Sequence, residues 1–463
     1  MQRKEKSLVA LIAALAWPTM VEQALGVVVQ YVDTAMVGRM GAHASACVGL
    51  TASTTWLVNS PLWALATGVL ACTARYVGAR DDEMTRRTAT QAVLLALISG
   101  LVIGAVTLAV SPFLPAWLGA EEALRRDGSL YFAIVCAPML FRAAQVIFSA
   151  AIRATGDTRT PMFINLGMNL VNIVLNALFI FETRPISILG LRLTVPGLGW
   201  GVIGAAVATA ISYVFGGAAM TAVFWRNRYV SPRGRRIRFD REAMLPCVKI
   251  GIPVVGTRVA TTLGHVVFTS LVTSLGTVAL ASHTIAITAE EAFYIPGYGM
   301  QAAASTLAGQ SLGEGNLKKL RRVSMMIMLA TMLMMTVTGA VLFAVPGAMM
   351  GLFTQDAAVI AGGIPLLRIV AVSEPIYGMA IILEGTFNGV GDTKAPFVIS
   401  LGCMWGIRIL FTCLCVKVFH LGLVPVWLCM VADNVTRGAL LAVRYARGRW
   451  LKALTPGASA EAN

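Results

Sequence analysis

RATGDTRTP at residues 153–161 returns as NGVGDTKAP at 388–396, a displacement of 235 residues. The same displacement carries Pro18 onto Pro253, Gly41 onto Gly276, Gly78 onto Gly313 and Asp157 onto Asp392 without a gap, so the halves keep register over their first five helices. Working outward, apolar runs bounded by charge, glycine and proline predict helices near 8–38, 44–74, 88–111, 129–152, 160–182, 197–224, 246–274, 279–311, 322–344, 364–388, 396–419 and 422–443. A hydrocarbon core about 30 Å thick takes roughly 20 apolar residues to cross, and each run supplies them. The pattern predicts an all-α integral membrane protein of 12 spans in two six-helix lobes. An even number of spans precedes the second copy, so the lobes share one topology and are expected to be related by a pseudo-twofold along the membrane normal. They are placed at 1–224 and 244–445, joined by a basic cytoplasmic linker at 225–243 and followed by a cytoplasmic tail at 446–463.

Composition agrees with bilayer as the solvent. The chain is 57% hydrophobic and 13% charged, with a mean hydropathy of +0.75, well outside the range of soluble domains. Its net charge of +15 does not point to nucleic acid, because the basic residues recur at alternate loops rather than on one face. With the N-terminus inside, one side receives Arg3, Lys4, Lys6, Arg80–Arg87, Arg153, Arg159, Arg226–Arg241, Lys318–Arg322, Lys394 and Arg444–Lys452. The other side keeps Arg39, Arg125, Arg126, Arg184 and Arg192 against about 25, an imbalance that puts both termini in the cytoplasm. The apolar run after Lys6 continues to about Gly38 with no small-residue cleavage site, which predicts a retained first helix rather than a signal peptide. The eight cysteines lie in or beside apolar stretches, with no loop pair placed to close a disulfide. No nucleophile elbow, phosphate loop, metal motif or cofactor motif is visible, so an enzyme is not expected.

Ionisable groups inside spans cost at least about 2.5–3.5 kcal/mol at the centre, so each needs an explanation. Asp33 lies five residues before the outer end of the first helix, roughly 7.5 Å deep. Asn165, Asn169, Asn172 and Asn176 follow one face of the fifth helix, and Asn176 lies roughly 9 Å from the same surface. Asp33, Asn172 and Asn176 can meet at one depth, with Thr209 of the sixth helix nearby. One carboxylate among carboxamide and hydroxyl oxygens suits Na⁺, and the carboxylate alone suits a proton. Hydrogen-bonded gluing of helices by the asparagines is the structural alternative. The 235-residue displacement puts Phe268, Ile407 and Phe411 at the matching places, so this site is not duplicated. The second half instead carries Arg258, Glu290, Glu374, Arg408 and Asp433 ten to twelve residues into their helices, roughly 15–18 Å deep, with Glu291 about 100° around from Glu290. Opposite charges in this cluster are expected to pair, with one of Glu290 and Glu291 left facing the cavity unpaired, and three roles stay open: a lock between helices, a proton-linked site, or a substrate-facing wall. Pro18 and Gly26 mark a bend in the first helix that can move Asp33. The 22 methionines are read mainly as lipid-facing or core residues, and His265 and His283 as packing residues.

YVDTAMVGRMGAHASACVGL at 31–50, RATGDTRTP with NLVNIVLNALFIF behind it, GWGVIGAAVATAIS at 199–212, SLGTVALASHTIAI, EEAFYIPGYGMQAAASTLAGQSLGEGN and EGTFNGVGDTKAP together resemble a bacterial multidrug and toxic compound extrusion (MATE) transporter over nearly the whole chain. The resemblance implies a central cavity between two lobes and antiport of amphipathic, mostly cationic drugs, by alternating access against Na⁺ or H⁺. It implies residence in the bacterial cytoplasmic membrane as a monomer, with small organic molecules and lipid as partners, no nucleic acid, and no cofactor beyond the coupling ion. By the resemblance, Asp33, Asn172, Asn176 and Thr209 are the cation-coupling residues. Branches of the family often place an acid where this chain has Asn176, and some carry an acid in helix seven, where this chain has Thr257 and Thr261 around Arg258. Their second-lobe site is then absent or rebuilt from Glu290 and Glu374. The alternative within the superfamily is a flippase for lipid-linked sugars.

Overall fold

The computed structural model describes residues 2–188, 191–448 and 450–451. The expected tail therefore lies mostly outside the described residues, Lys452 included, as do the side chains of Arg3, Lys4, Lys6, Arg184 and Arg192. In chain order the elements are α1 Gln2–Gly38, α2 Ala42–Gly78, α3 Asp82–Val110, α4 Leu114–Trp117, α5 Glu122–Cys136, α6 Met139–Ala154, α7 Arg159–Phe179, β1 Glu182–Ile188, β2 Leu191–Leu198 and α8 Gly201–Arg226. There follow α9 Arg241–Thr273, α10 Thr277–Glu291, α11 Ile295–Gly313, α12 Leu317–Ala344, α13 Pro346–Gly351, α14 Ala357–Val390, α15 Lys394–Cys403, α16 Leu410–Cys413 and α17 Leu423–Arg447. Two π-helical segments, Met404–Ile409 and Leu414–Val418, flank α16 and make one continuous span with α15.

Among the described residues ten helices are long and apolar enough to cross a membrane, and α5 with α6, bent by 45°, makes an eleventh span. The twelfth stretch, read from sequence as one helix at 279–311, is the broken pair α10 and α11. Both breaks correct continuous helices expected from the apolar pattern, and both have a local cause. Pro138 interrupts the fourth span and Pro296 opens α11, since proline lacks the N–H for an i→i−4 bond and its ring crowds the preceding turn. A second departure from an all-helical expectation is the antiparallel hairpin of β1 and β2 between α7 and α8.

The internal repeat is visible in the backbone. Gly41 and Gly276, 235 residues apart, both open a helix with positive φ, +104° and +103°, a conformation that costs a residue with Cβ. Gly78 and Gly313, another such pair, lie against each other's helices. A Cβ on Gly78 would sit 2.1 Å from the Gln310 carbonyl oxygen, and one on Gly313 would sit 1.9 Å from that of Arg75. Apolar area gives little drive to helix association in lipid, so close approach at small residues supplies much of the packing.

The chain forms two compact units. The first holds residues 21–69 and 81–246; the second holds residues 1–20, 70–80 and 247–463. The borders differ from those of the sequence halves, because the first turns of α1 and the last turns of α2 group with the second half. Pro18 lies inside an unbroken α1, two residues before the point at which that helix passes from one unit to the other. Beside it, Thr19 Oγ1 donates to the carbonyl oxygens of Ala16 and Gly299, at 2.8 and 2.7 Å. In the first unit the basic segment 227–240 is strapped to α3 by Arg87 on Asp240 and Glu242, by Arg235 on Glu83, and by Gln91 on the Arg238 carbonyl oxygen.

Candidate functional site

In the first unit the seven- and four-residue spacing of Asn165, Asn172 and Asn176 puts all three on the buried face of α7, which packs against α8. Asp33 of α1 reaches the same point. Asn176 Nδ2 donates to Asp33 Oδ1 at 2.7 Å and to Asn172 Oδ1 at 3.1 Å, and Asn172 Nδ2 donates to Thr209 Oγ1 at 3.3 Å. The structure thus brings Asp33, Asn172, Asn176 and Thr209 together. In this orientation the Asn172 amide oxygen faces the carboxylate. With its amide turned over, Nδ2 donates to both Asp33 oxygens, at 3.0 and 3.2 Å, and Oδ1 accepts from Thr209 at 3.3 Å. The same side chain can therefore offer the carboxylate a donor, or line up its oxygen with the carboxylate around a cation. Asn176 Oδ1 is buried and has no donor among the described residues. A buried acceptor left open costs free energy unless a cation or a water satisfies it. No group of three His, Cys, Asp or Glu side chains poised for a metal ion occurs among the described residues. The groups that meet at this point are one carboxylate with amide and hydroxyl oxygens, a set whose chemistry suits a monovalent cation or a proton.

A second polar chain in this unit runs from α1 across α7 and α6 to α2 and α8, and sequence reading missed most of it. Both Glu22 oxygens take Arg153, at 2.7 and 2.9 Å. Asn165 donates to Glu22, Gln145 Nε2 donates to Asn165 Oδ1 at 2.5 Å, and Arg142 donates to Gln145 Oε1 at 3.0 Å. Arg142 also approaches Asn59 Oδ1 at 3.5 Å and lies 4.7 Å from the Tyr213 ring centre and 5.9 Å from that of Trp63. Sequence reading places Arg153 in the loop after the fourth span, because it opens the repeat motif RATGDTRTP. The missed signal was Glu22, four residues beyond Pro18 and inside the first apolar run.

In the second unit the expected charge cluster forms only in part. Arg408 Nε lies 2.8 Å from Asp433 Oδ2, but the other partner is Arg437, 3.0 Å from the same oxygen and not anticipated, although it stands one helical turn from Asp433. Both guanidiniums also donate to Asn434 Oδ1 at 3.1 Å. Arg408 lies in the first π-helical segment, a widened turn that often accompanies a functional or strained position. Glu290 and Glu374 are both buried and lie within electrostatic range of each other, and Glu290 is also within range of Arg408. Neither oxygen of Glu374 has a hydrogen-bond partner among the described residues. One expectation needs correction: Arg258 is exposed and makes no ion pair among the described residues. Glu291, about 100° around from the buried Glu290, is exposed at the end of α10. Equal depth along separate helices does not place two side chains on facing sides. Gly26 stands in α1 with nothing near the position of a Cβ. His283 accepts from Trp427 Nε1 at 3.2 Å inside the apolar core, a packing role. The eight cysteines are free thiols.

The MatE family model matches residues 18–178 and 253–414, once in each half of the repeat. The chain is 26% identical over 438 residues to the probable multidrug resistance protein NorM of Thermotoga maritima, covering 95% of this chain and 92% of that one. It is 25% identical to the multidrug resistance protein PmpM of Pseudomonas aeruginosa, over 85% of this chain and 81% of that one. A MATE transporter crystallised in complex with MaL6 shares the fold, with a TM-score of 0.88 over 96% of both chains at 22% identity. A duplicated span pattern, a helix order that superposes on a solved transporter and a family match in both halves lead to one conclusion: the chain belongs to the MatE family and is a multi-pass MATE transporter.

Proposed function

We propose that the protein is a secondary active antiporter of the bacterial cytoplasmic membrane, with both termini inside, exporting amphipathic and mostly cationic organic compounds in exchange for Na⁺ or H⁺. The observation that carries the reading is the lone Asp33 carboxylate ringed by Asn172, Asn176 and Thr209, with the Asn176 amide oxygen open. A cation there would be held by Asp33 and the amide and hydroxyl oxygens, supplying the charge that the helices do not. Coupling requires that the ion bind one conformation better than the other; Asp33 on α1, beyond Pro18, is placed for that difference to move the helix. The named relatives are multidrug resistance proteins, and the cargo proposed here follows theirs rather than lipid-linked sugars.

A second ion acceptor is favoured by one observation. Arg408 and Arg437 share Asp433, and Arg408 is also within range of Glu290, whereas Glu374 stands beside the buried Glu290 with neither oxygen partnered among the described residues, a negative charge with no ion pair of its own. A proton or monovalent cation on Glu374 would balance it. Uptake of a fluorescent organic cation from the medium into everted membrane vesicles, with sodium and proton gradients imposed one at a time, tests the scheme. Uptake driven by either gradient and lost in Asp33→Asn supports it, and uptake indifferent to both gradients rejects it.

A further inference from the structure

Arg142 is a charge for which the export scheme has no use. It stands twelve residues before the end of α6, roughly 18 Å along the helix and deep in the span. The other buried or half-buried arginines within the described spans each face a carboxylate: Arg87 has Asp240 and Glu242, Arg153 has Glu22, Arg408 and Arg437 share Asp433, and Arg444 has Asp392. Arg142 has none among the described residues. Its partners are neutral: the oxygens of Gln145 and Asn59 and the faces of Tyr213 and Trp63. A guanidinium deep in a span without an anion is costly, and aromatic faces recover only part of that cost. It carries five N–H donors in a planar fork, and the two amide oxygens engage two of them. Its neighbour Phe141, with Ile211 and Val214 of α8, lines a separate apolar groove, and Arg142 lies about 100° around the helix from that wall. Trp63 is 37% exposed, so the stack has an open edge. Tyr213 is one helical turn from Thr209, which puts the guanidinium's aromatic wall next to the Asp33 site.

We infer that Arg142, walled by Trp63 and Tyr213, is a specificity-determining residue that receives the free carboxylate of a flat aromatic substrate. The ring of such a compound stacks at the open edge, and its carboxylate takes the unused N–H donors. This rests on the export reading and adds to it the side chain that would recognise an acid group on the cargo.

The test uses two dyes that differ only at this group: rhodamine 110, with a free carboxylate, and rhodamine 123, its methyl ester. Gradient-driven uptake into everted vesicles is measured for the full-length protein, Arg142→Gln and Arg142→Lys. Arg142→Gln is expected to lose rhodamine 110 transport by about tenfold or more while keeping rhodamine 123 transport within about twofold, which also shows that the variant folds. Arg142→Lys keeps the charge without the flat fork and is expected to fall about threefold on the acid alone. An unchanged acid-to-ester ratio in both variants overturns the inference and leaves the export reading standing. If Arg142→Gln moves neither dye, the ratio in Arg142→Lys decides in the same way. Uptake of both dyes by the unaltered protein that is indifferent to either gradient overturns the export reading, and this inference with it; gradient-driven uptake of the ester with none of the acid overturns this inference alone.

Discussion

Asp33 and Asp433 are both aspartates inside membrane-spanning helices, and their surroundings are opposite. Asp433 is fully buried between two arginines that share one of its oxygens. Asp33 is half-buried and among the described residues meets only amides, one of whose oxygens has no donor. A carboxylate already matched by cations is suited to holding helices in place. One matched only by neutral dipoles keeps a free place for an ion, and that difference separates a structural charge from a coupling charge.

The comparison can be broken most forcefully at Asp433. Asp433→Ala leaves two buried guanidiniums facing each other and is expected to cost about 3–5 kcal/mol, read as a lowered thermal unfolding temperature in detergent. Adding Arg437→Met should recover part of the loss, and an unfolding temperature unmoved by the single change would refute the structural assignment. Asp33→Asn is the counterpart: gradient-driven uptake should fall about 100-fold, with the unfolding temperature nearly unchanged, because no buried cation is stranded. Undiminished transport by that variant would end the coupling role. Glu374→Gln sharpens the middle case. Removal of an unpartnered buried carboxylate should leave stability equal or slightly higher while transport drops about tenfold; unaltered transport would make Glu374 merely tolerated.

The smallest effect is expected at the strap of the first unit. The Arg87 guanidinium holds the Asp240 carboxyl below its ordinary value of 3.8. A depressed carboxyl stabilises the fold above its unfolded-state value and loses that contribution as pH falls through the folded one, so the strap should be unaffected at neutral pH and weaken only below about pH 4. Arg87→Gln should cost less than about 1 kcal/mol, since the pair is partly exposed. Unfolding measured at pH 7 and pH 3.5 would show the gap between variant and parent closing at the lower pH; a constant gap contradicts the ion-pair account.

The spans were readable because a bilayer imposes about 20 apolar residues on each crossing whatever the tertiary structure. The Asp33 set was readable too, because depth follows from residue count along a helix and the asparagine spacing chooses one face. The Glu22–Arg153 pair was not: one residue looked like helix interior and the other like loop, and nothing local tells a chain that α1 and α6 meet there.

By itself, therefore, the sequence determined how many times the chain crosses, which residues lie at which depth, and that the halves are copies with unequal polar contents. Only the tertiary structure decided which side chains at a given depth face one another: that Arg437 joins Arg408 on Asp433, that Arg258 does not, and that Arg142 is left among aromatic rings. Helical periodicity sets a side chain's depth and its angle on its own helix. The angle between helices comes from packing, and it is that angle which turns equal depth into contact.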